Sequence, residues 1–150
     1  MTLDQAQFAI SLREAVHTAA ARPNVRESVE AIYRELAVEV ERRRPVCVVS
    51  GRCCRFEEFG HRLYVTTLEL AVFLRGLDGV GSLPAGWDGT AWDGTGCPFQ
   101  SNRLCTVHAI RPFGCRVFFC DATATQWQNE AYEAFHGRLK GLHEQLGVPY

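Results

Sequence analysis

A chain of 150 residues has the length of one domain, because a single hydrophobic core usually serves a chain of this size. Hydrophobic residues make up 47% of it, and 16 basic residues nearly balance 17 acidic ones. This composition argues against intrinsic disorder and against the strongly basic surface of a nucleic-acid-binding protein. The N-terminus lacks a basic segment leading into an apolar one, and no run approaches the roughly 18 apolar residues of a membrane span. We therefore expect a cytoplasmic protein with neither nucleic acid nor a membrane as its partner.

Residues 3–44 are predicted to form two amphipathic helices. Apolar residues recur at steps of three and four over 8–19 and again over 25–40, which is the spacing of one helix face. Pro23 is expected to end the first helix and Pro45 the second, because proline interrupts a helix interior. We expect the two helices to form a hairpin.

The ends of the second helix carry two further signals. Asn24 and Glu27 have the spacing of a capping box at its start. Arg42, Arg43 and Arg44 lie at its end, where they either bind a phosphate group or complement the negative end of the helix dipole.

The centre of the chain contains the main indication of β-structure. Segments 55–59 and 62–65 are rich in aromatic and β-branched residues and flank Gly60-His61. This pattern predicts a short β-hairpin.

A capped helix and a glycine-rich loop are expected next. Thr66 and Glu69 form a capping box that opens a short helix, which should end at Gly76. The loop contains a small repeat, Trp87–Thr90 and Trp92–Thr95, in which each Asp-Gly favours a tight turn. It either shields a site from water, offers a stacking surface to a ligand, or packs on itself as a surface loop.

A final helix is predicted over 123–147, with Thr123 and Gln126 as its cap and apolar residues at helical spacing. The expected fold is therefore mainly α, a single domain over 1–150 in which a helical scaffold surrounds an irregular centre with a short β-hairpin. Its parts are the helical hairpin 3–44, the cysteine-rich centre 47–120 and the C-terminal helix 123–147.

The cysteines are the strongest chemical signal in the sequence. Seven are several times the ordinary number, and structural disulfides are not expected in a reducing cytoplasm. Thiolates brought together by loops suit Zn²⁺ or an iron–sulfur cluster. Their spacings match no standard zinc or ferredoxin knuckle, so they predict a metal site without identifying the metal. The candidate ligands are Cys47, Cys53, Cys54, Cys97, Cys105, Cys115 and Cys120.

The order of these cysteines and their neighbours resembles a known family. The matching stretches are Cys47-x₂-Ser50-x₂-Cys53-Cys54, then Cys97-Pro98-Phe99, then the block from Cys105 to Cys120 with Arg111-Pro112 before Cys115. Together they resemble the small bacterial CxxCxxCC cysteine-cluster family, also called YkgJ-like and described as zinc- or iron-chelating domains. The resemblance implies that a metal ion or cluster is the ligand of these cysteines.

The chain departs from this family pattern at several positions. Ser50 stands where the motif has its second cysteine, which leaves seven of the eight usual thiols. Cys47 lies among three valines that predict a buried strand, so it is either a ligand or a core thiol. His108, where the family often has tyrosine, is not assigned as a ligand. Adjacent side chains tend to point apart, so Cys53 and Cys54 are not both expected to bind one mononuclear ion.

Two arginines flank Cys115 in sequence. Arg111 and Arg116 either offset the negative charge of a thiolate site and lower the thiol pKa values, or form salt bridges elsewhere. The acidic residues considered for such bridges are Glu57, Glu58 and Glu69.

Two other functions remain open from the sequence. One is a thiol-based redox or nucleophilic enzyme, using Cys53-Cys54 as a dithiol or one cysteine with His61 or His108 as base. The other is a metal-free interaction module built on the Trp-Asp-Gly-Thr loop. Spare thiols and an aromatic shell slightly favour iron–sulfur over zinc, although the shell suits both. The aromatic residues expected in this shell are Trp87, Trp92, Phe99, Phe113, Phe118 and Phe119.

Overall fold

The computed structural model describes residues 3–80 and 95–150, without the side chains of 78–80. It confirms the mainly α fold predicted from the sequence, with one small antiparallel sheet in the described part of the chain. The elements are α1 (Leu3–Ala20), α2 (Pro23–Arg43), α3 (Phe56–Phe59), α4 (Thr67–Val80), β1 (Gln100–Ser101), β2 (Leu104–Cys105), α5 (Phe113–Val117) and α6 (Thr125–Leu146). Short 3₁₀ turns cover Arg52–Cys54, His108–Ile110 and Ala122–Ala124.

The hydrophobic core lies where α2, α4, α5 and α6 meet. Leu36, Leu68 and Leu139, from three of these helices, are fully buried in it. The predicted helices α1 and α2 follow one another with only residues 21–22 between them, and α1 packs mainly along α4. None of the described helices is long and apolar enough to cross a membrane.

The start of α2 differs from the prediction. Pro23 is the first residue of the helix and Arg22 is its N-cap, without a side-chain hydrogen bond, so the capping box of Asn24 and Glu27 is wrong. The fixed φ of proline suits the first helical position, where its missing N–H costs nothing. The helix ends at Arg43, two residues before Pro45, as expected.

The arginines that end α2 make local contacts. Arg42 pairs with Glu39 at 3.1 Å, and the Arg43 guanidinium donates to the carbonyl oxygen of Thr123 at 2.7 Å. Arg44 adopts the left-handed conformation that closes the helix. Arg43 thereby fastens the end of α2 to the turn before α6.

The capping box at the start of α4 is confirmed. The Thr66 N–H donates to Glu69 Oε2 at 3.1 Å, and the Glu69 N–H donates to Thr66 Oγ1 at 3.4 Å. The expected end at Gly76 is wrong, because α4 continues to Val80. A Cβ on Gly76 would lie 2.9 Å from Ile110 Cγ2, so this glycine permits close packing inside the helix instead of ending it.

The β-hairpin predicted over 55–65 is wrong. Residues 56–59 form α3, which Gly60 ends with a φ of 65°. The sheet is instead β1 paired with β2, in the register Gln100↔Cys105 and Ser101↔Leu104. Asn102 and Arg103, both with positive φ, form its two-residue turn, as a type I′ hairpin requires.

The C-terminal helix is confirmed as Thr125–Leu146, and its N-cap, Ala124, makes no side-chain hydrogen bond. Asp121 caps the preceding 3₁₀ turn, where its Oδ1 accepts hydrogen bonds from the N–H and the hydroxyl of Thr123, at 2.9 and 2.6 Å. Gln126 bonds to Glu130 within the helix, so the predicted cap of Thr123 with Gln126 is wrong. Of the predicted Trp-Asp-Gly-Thr repeat, all but Thr95 lies outside the described residues.

Candidate metal centre

All seven cysteines line one cavity of about 460 Å³. They reach it from separate parts of the chain: the segment after α2, the turn at Arg52–Cys54, the segment before β1, β2, α5 and the segment after α5. Leu70 and Phe73 of α4 also line the cavity, so a helix forms one of its walls. The remaining wall is mostly irregular backbone, as expected for a loop-built site.

The turn at Arg52–Cys54 brings two adjacent thiols together. Gly51 enters it with a φ of 69°, and the Cys54 N–H donates to the Gly51 carbonyl oxygen at 3.1 Å. The sulfur atoms of Cys53 and Cys54 are 3.9 Å apart. The expectation that these side chains point apart is therefore wrong, because the tight turn rotates them toward the same cavity.

Cys97 is held against this turn by its backbone. Its N–H donates to the Cys54 carbonyl oxygen at 2.7 Å. A Cβ on the preceding residue, Gly96, would lie 2.9 Å from that same oxygen, and Gly96 has a φ of 58°. The Gly96 N–H also donates to Glu57 Oε2 at 2.7 Å. Only glycine fits this close approach without strain.

The three thiols share hydrogen bonds that separate their acidities. The bond from the Cys54 thiol lowers the pKa of Cys53 to about 6 and the pKa of Cys97 to about 7. The pKa of Cys54 itself is raised. The largest cause is its hydrogen bond with Cys53, the next is its hydrogen bond with Cys97, and the third is burial. Cys53 and Cys97 are thus more acidic than Cys54, and thiolates are the form that binds metals.

The opposite wall holds less acidic thiols. Burial raises the pKa of Cys115 to about 12 and also raises the pKa of Cys105. The positive charge of Arg111 opposes this rise at both thiols and contributes to lowering the pKa of Cys53. Arg111 therefore acts in the direction expected of a residue that stabilises thiolates.

The alternative of salt bridges to the two arginines is not observed. The ion pairs of the described residues include neither Arg111 nor Arg116. Arg116 donates to the carbonyl oxygens of Arg111 and Ala109, at 2.6 and 3.0 Å, and stacks over the Tyr33 ring. It supports the backbone beside Cys115 and fixes the position of Arg111.

Cys47 and Cys120 lie at the edge of the cavity. Cys47 is exposed and has no regular strand around it, so the predicted buried strand and core thiol are wrong. Pro45 and the left-handed Val49, with a φ of 51°, interrupt extended pairing there. The Cys120 sulfur lies 3.7 Å from the hydroxyl of Ser50, the residue that departs from the family motif.

The two candidate histidine bases occupy different positions. His61 stacks on Phe118 with ring centroids 4.8 Å apart, and its Nε2 is 3.3 Å from the Cys53 carbonyl oxygen. His108 lines the cavity, and burial lowers its pKa. The contact of His61 was not anticipated, because the sequence pattern assigned this residue to a hairpin turn.

The aromatic shell is partly as expected. Phe99, Phe118 and Phe119 line the cavity, whereas Phe113 is buried in the helical core. Trp87 and Trp92 lie outside the described residues. Among residues that the sequence did not single out, Phe56, Leu63, Tyr64 and Val65 also line the cavity, in the region mistaken for a β-hairpin.

The donor set fits a soft metal in chemistry and in number. The 3.9 Å between the sulfurs of Cys53 and Cys54 is close to the edge of a tetrahedral zinc–thiolate site, about 3.8 Å for bonds of about 2.3 Å. Across residues 3–80 and 95–150, no group of three or more His, Cys, Asp or Glu side chains has the geometry of a metal site. Binding therefore requires the irregular segments that carry the other thiols to draw closer.

Comparisons with protein-family models, curated proteins and solved structures found no match to this chain.

Proposed function

We propose that this chain is a metal-binding protein that holds an iron–sulfur cluster or a zinc ion through its cysteines. The observation that carries the proposal is that seven thiols from separate segments line one cavity. Buried cysteines that serve only as small hydrophobes would be dispersed through the core. Of the seven, only Cys54 is almost inaccessible to solvent, Cys47 is exposed and the other five are partly buried. None of them belongs to the main core cluster.

The likeness of this chain to the CxxCxxCC cysteine-cluster family supports the same proposal. It covers residues 47–120, and all the described residues that line the cavity fall within this range. The family assignment is itself part of the proposal, as is a location in the cytoplasm, where cysteines stay reduced and free to bind metal.

Cys53, Cys54 and Cys97 are the first ligands we assign. The sulfur atoms of Cys53 and Cys54 are 3.9 Å apart, and the Cys97 N–H donates to the Cys54 carbonyl oxygen. The pKa values of Cys53 and Cys97 are both lowered. Further ligands come from Cys47, Cys105, Cys115 and Cys120. Bound zinc would supply a redox-inert cross-link, whereas a cluster would supply one-electron chemistry.

Metal retention in cysteine variants tests this assignment. Cys54→Ser removes the thiol that contacts both neighbours, so we expect it to lose most of the bound metal after native purification. Cys47→Ser is the matched comparison, because Cys47 is exposed and is only one of four further ligands, so its loss should cost less metal than the loss of Cys54. Metal content per chain is measured on both. Equal metal content in Cys54→Ser and the unmodified protein would overturn the assignment.

A thiol redox enzyme is the second candidate, favoured by the 3.9 Å contact between the sulfurs of Cys53 and Cys54. The Cys53 thiolate would attack a substrate disulfide to form a mixed disulfide. Cys54 would then resolve it, leaving a protein disulfide and a reduced substrate dithiol. Reduction of one model disulfide per chain by the reduced, metal-free protein, lost in Cys53→Ser, distinguishes this candidate. A metal-free interaction module is the third possibility, and a fully folded native protein without metal would favour it.

A further inference from the structure

A second cavity, of about 500 Å³, lies between α1, the start of α4, α5 and α6. It contains no cysteine, and it shares with the metal centre only residues 64, 65 and 70. Its walls are largely aromatic. The phenyl and phenol rings that line it belong to Phe8, Tyr64, Phe113, Tyr132 and Tyr150.

Three of these rings, with the ring of His136, form a connected series along the cavity. Phe113 and Tyr132 have ring centroids 5.3 Å apart, and Tyr132 stacks on His136 at 5.2 Å. Tyr150 meets the edge of His136 and hydrogen-bonds to it through its hydroxyl. Tyr64 is 76% exposed and lies at the mouth, where an entering ligand would meet it.

A buried carboxylate gives this cavity its charge. Glu69 is only 2% exposed, and it accepts hydrogen bonds from the Phe113 N–H at 2.6 Å, the Tyr33 hydroxyl at 3.1 Å and the Thr66 N–H at 3.1 Å. The ion pairs of the described residues do not include Glu69. No lysine or arginine is among the described residues that line the cavity.

The field of Glu69 reaches the aromatic walls. The pKa of Tyr150 is raised, mainly by burial and secondly by the negative charge of Glu69. For Tyr132, burial is again the largest cause of a raised pKa, and Glu69 contributes. A cation in the cavity would therefore be attracted both by this carboxylate and by the negative faces of the rings.

We propose that the second cavity binds a small organic cation that carries a methylated ammonium group. A primary ammonium needs hydrogen-bond acceptors for its three N–H groups, and the oxygens of Glu69 are already occupied by three donors. A methylated ammonium has few or no such groups. It gains instead from aromatic faces, which this cavity supplies.

Calorimetric titration of the natively purified protein with choline tests the proposal. The control ligand is 3,3-dimethyl-1-butanol, which has the same shape as choline but carries carbon in place of the charged nitrogen. We expect saturable binding of choline with one site per chain, and binding of the neutral analogue about 5-fold weaker or more. Equal affinity for the two ligands, or no binding of choline, would overturn the proposal.

Variants at the mouth locate the binding. Tyr64→Leu removes a ring that is mostly exposed, so the fold should persist, and Tyr64→Phe keeps the ring as the matched control. We expect choline affinity to fall about 3-fold or more in Tyr64→Leu and to stay within about 2-fold in Tyr64→Phe. Circular dichroism checks folding in both. Unchanged choline affinity in Tyr64→Leu would contradict this location.

Discussion

The adjacent thiols of Cys53 and Cys54 illustrate how a local turn sets chemistry at the scale of single residues. Their sulfur atoms face the same cavity because a 3₁₀ turn, entered through a left-handed Gly51, replaces the extended backbone in which neighbouring side chains alternate. The Cys54 thiol then donates to its neighbour, which favours the thiolate form of Cys53. Arg111 adds a positive charge nearby.

The metal-free protein should show this difference as reactivity toward iodoacetamide. The pKa of Cys53 is lowered to about 6, so its thiolate should form as pH rises through about 6 and its alkylation should already be near maximal at pH 7. The pKa of Cys115 is raised to about 12, so it should stay protonated and slow. Peptide mass spectrometry over a pH series measures both rates. A Cys53 rate at pH 7 no greater than that of Cys115 would contradict this ordering.

At the scale of secondary-structure elements, the apolar spacing of the sequence predicted the long helices, but the sequence did not predict where the chain turns. The apolar spacing of α1, α2 and α6 and the capping box of α4 identified helices that are present in the structure. The predicted apolar face of α1 is buried only toward its end, at Val16 and Ala19, whereas Phe8 is exposed. The segment around Gly60 was predicted to be a hairpin because two segments rich in aromatic and β-branched residues flank Gly60-His61. In the structure Gly60 ends a single helical turn, while the observed hairpin turns at Asn102 and Arg103, which lack the glycine that usually marks such a turn.

The candidate metal centre could likewise be predicted only in part. The seven candidate ligands could be identified from residue type and resemblance, because thiols have few other roles when clustered. The backbone contact between Cys54 and Cys97 could not, because it joins segments more than forty residues apart and depends on the left-handed Gly96.

Gly96 provides a test of that contact. Gly96→Ala incurs a left-handed backbone penalty of about 1 kcal/mol and also brings its Cβ against the Cys54 carbonyl oxygen. Gly60→Ala is the matched control, because Gly60 has a similar positive φ and a Cβ added there would have nothing within 4 Å. We expect both variants to lose about 1 kcal/mol of unfolding free energy, and Gly96→Ala to lose about 1 kcal/mol more and to retain less metal. Thermal unfolding and metal content measure the difference. Equal losses in the two variants would show that the close approach contributes nothing.

On the scale of the whole molecule, the chain divides into a helical core and an irregular thiol-bearing region. The core residues of α2, α4, α5 and α6 pack on one another, whereas the segments 44–55 and 95–107 contain few buried side chains. Regions with few buried apolar contacts open most easily. Metal binding would therefore contribute most of its stabilisation to these two segments.

Removal of the metal with a chelator should separate the two regions. We expect the far-ultraviolet circular dichroism to keep most of its helical signal, while amide hydrogen exchange accelerates in residues 44–55 and 95–107. Hydrogen exchange with mass spectrometry, compared before and after chelation, measures the change. Loss of the helical signal on chelation would mean that the core depends on the metal, and unchanged exchange in both segments would mean that no metal had bound there.

The metal content of the native protein tests the central claim most directly. Iron, zinc and acid-labile sulfide are measured on one anaerobically purified sample, together with its visible absorption spectrum. The account predicts either iron with matching sulfide and broad visible absorption, or a colourless protein with zinc in a fixed ratio to the chain. A folded protein that contains neither metal after native purification would contradict it.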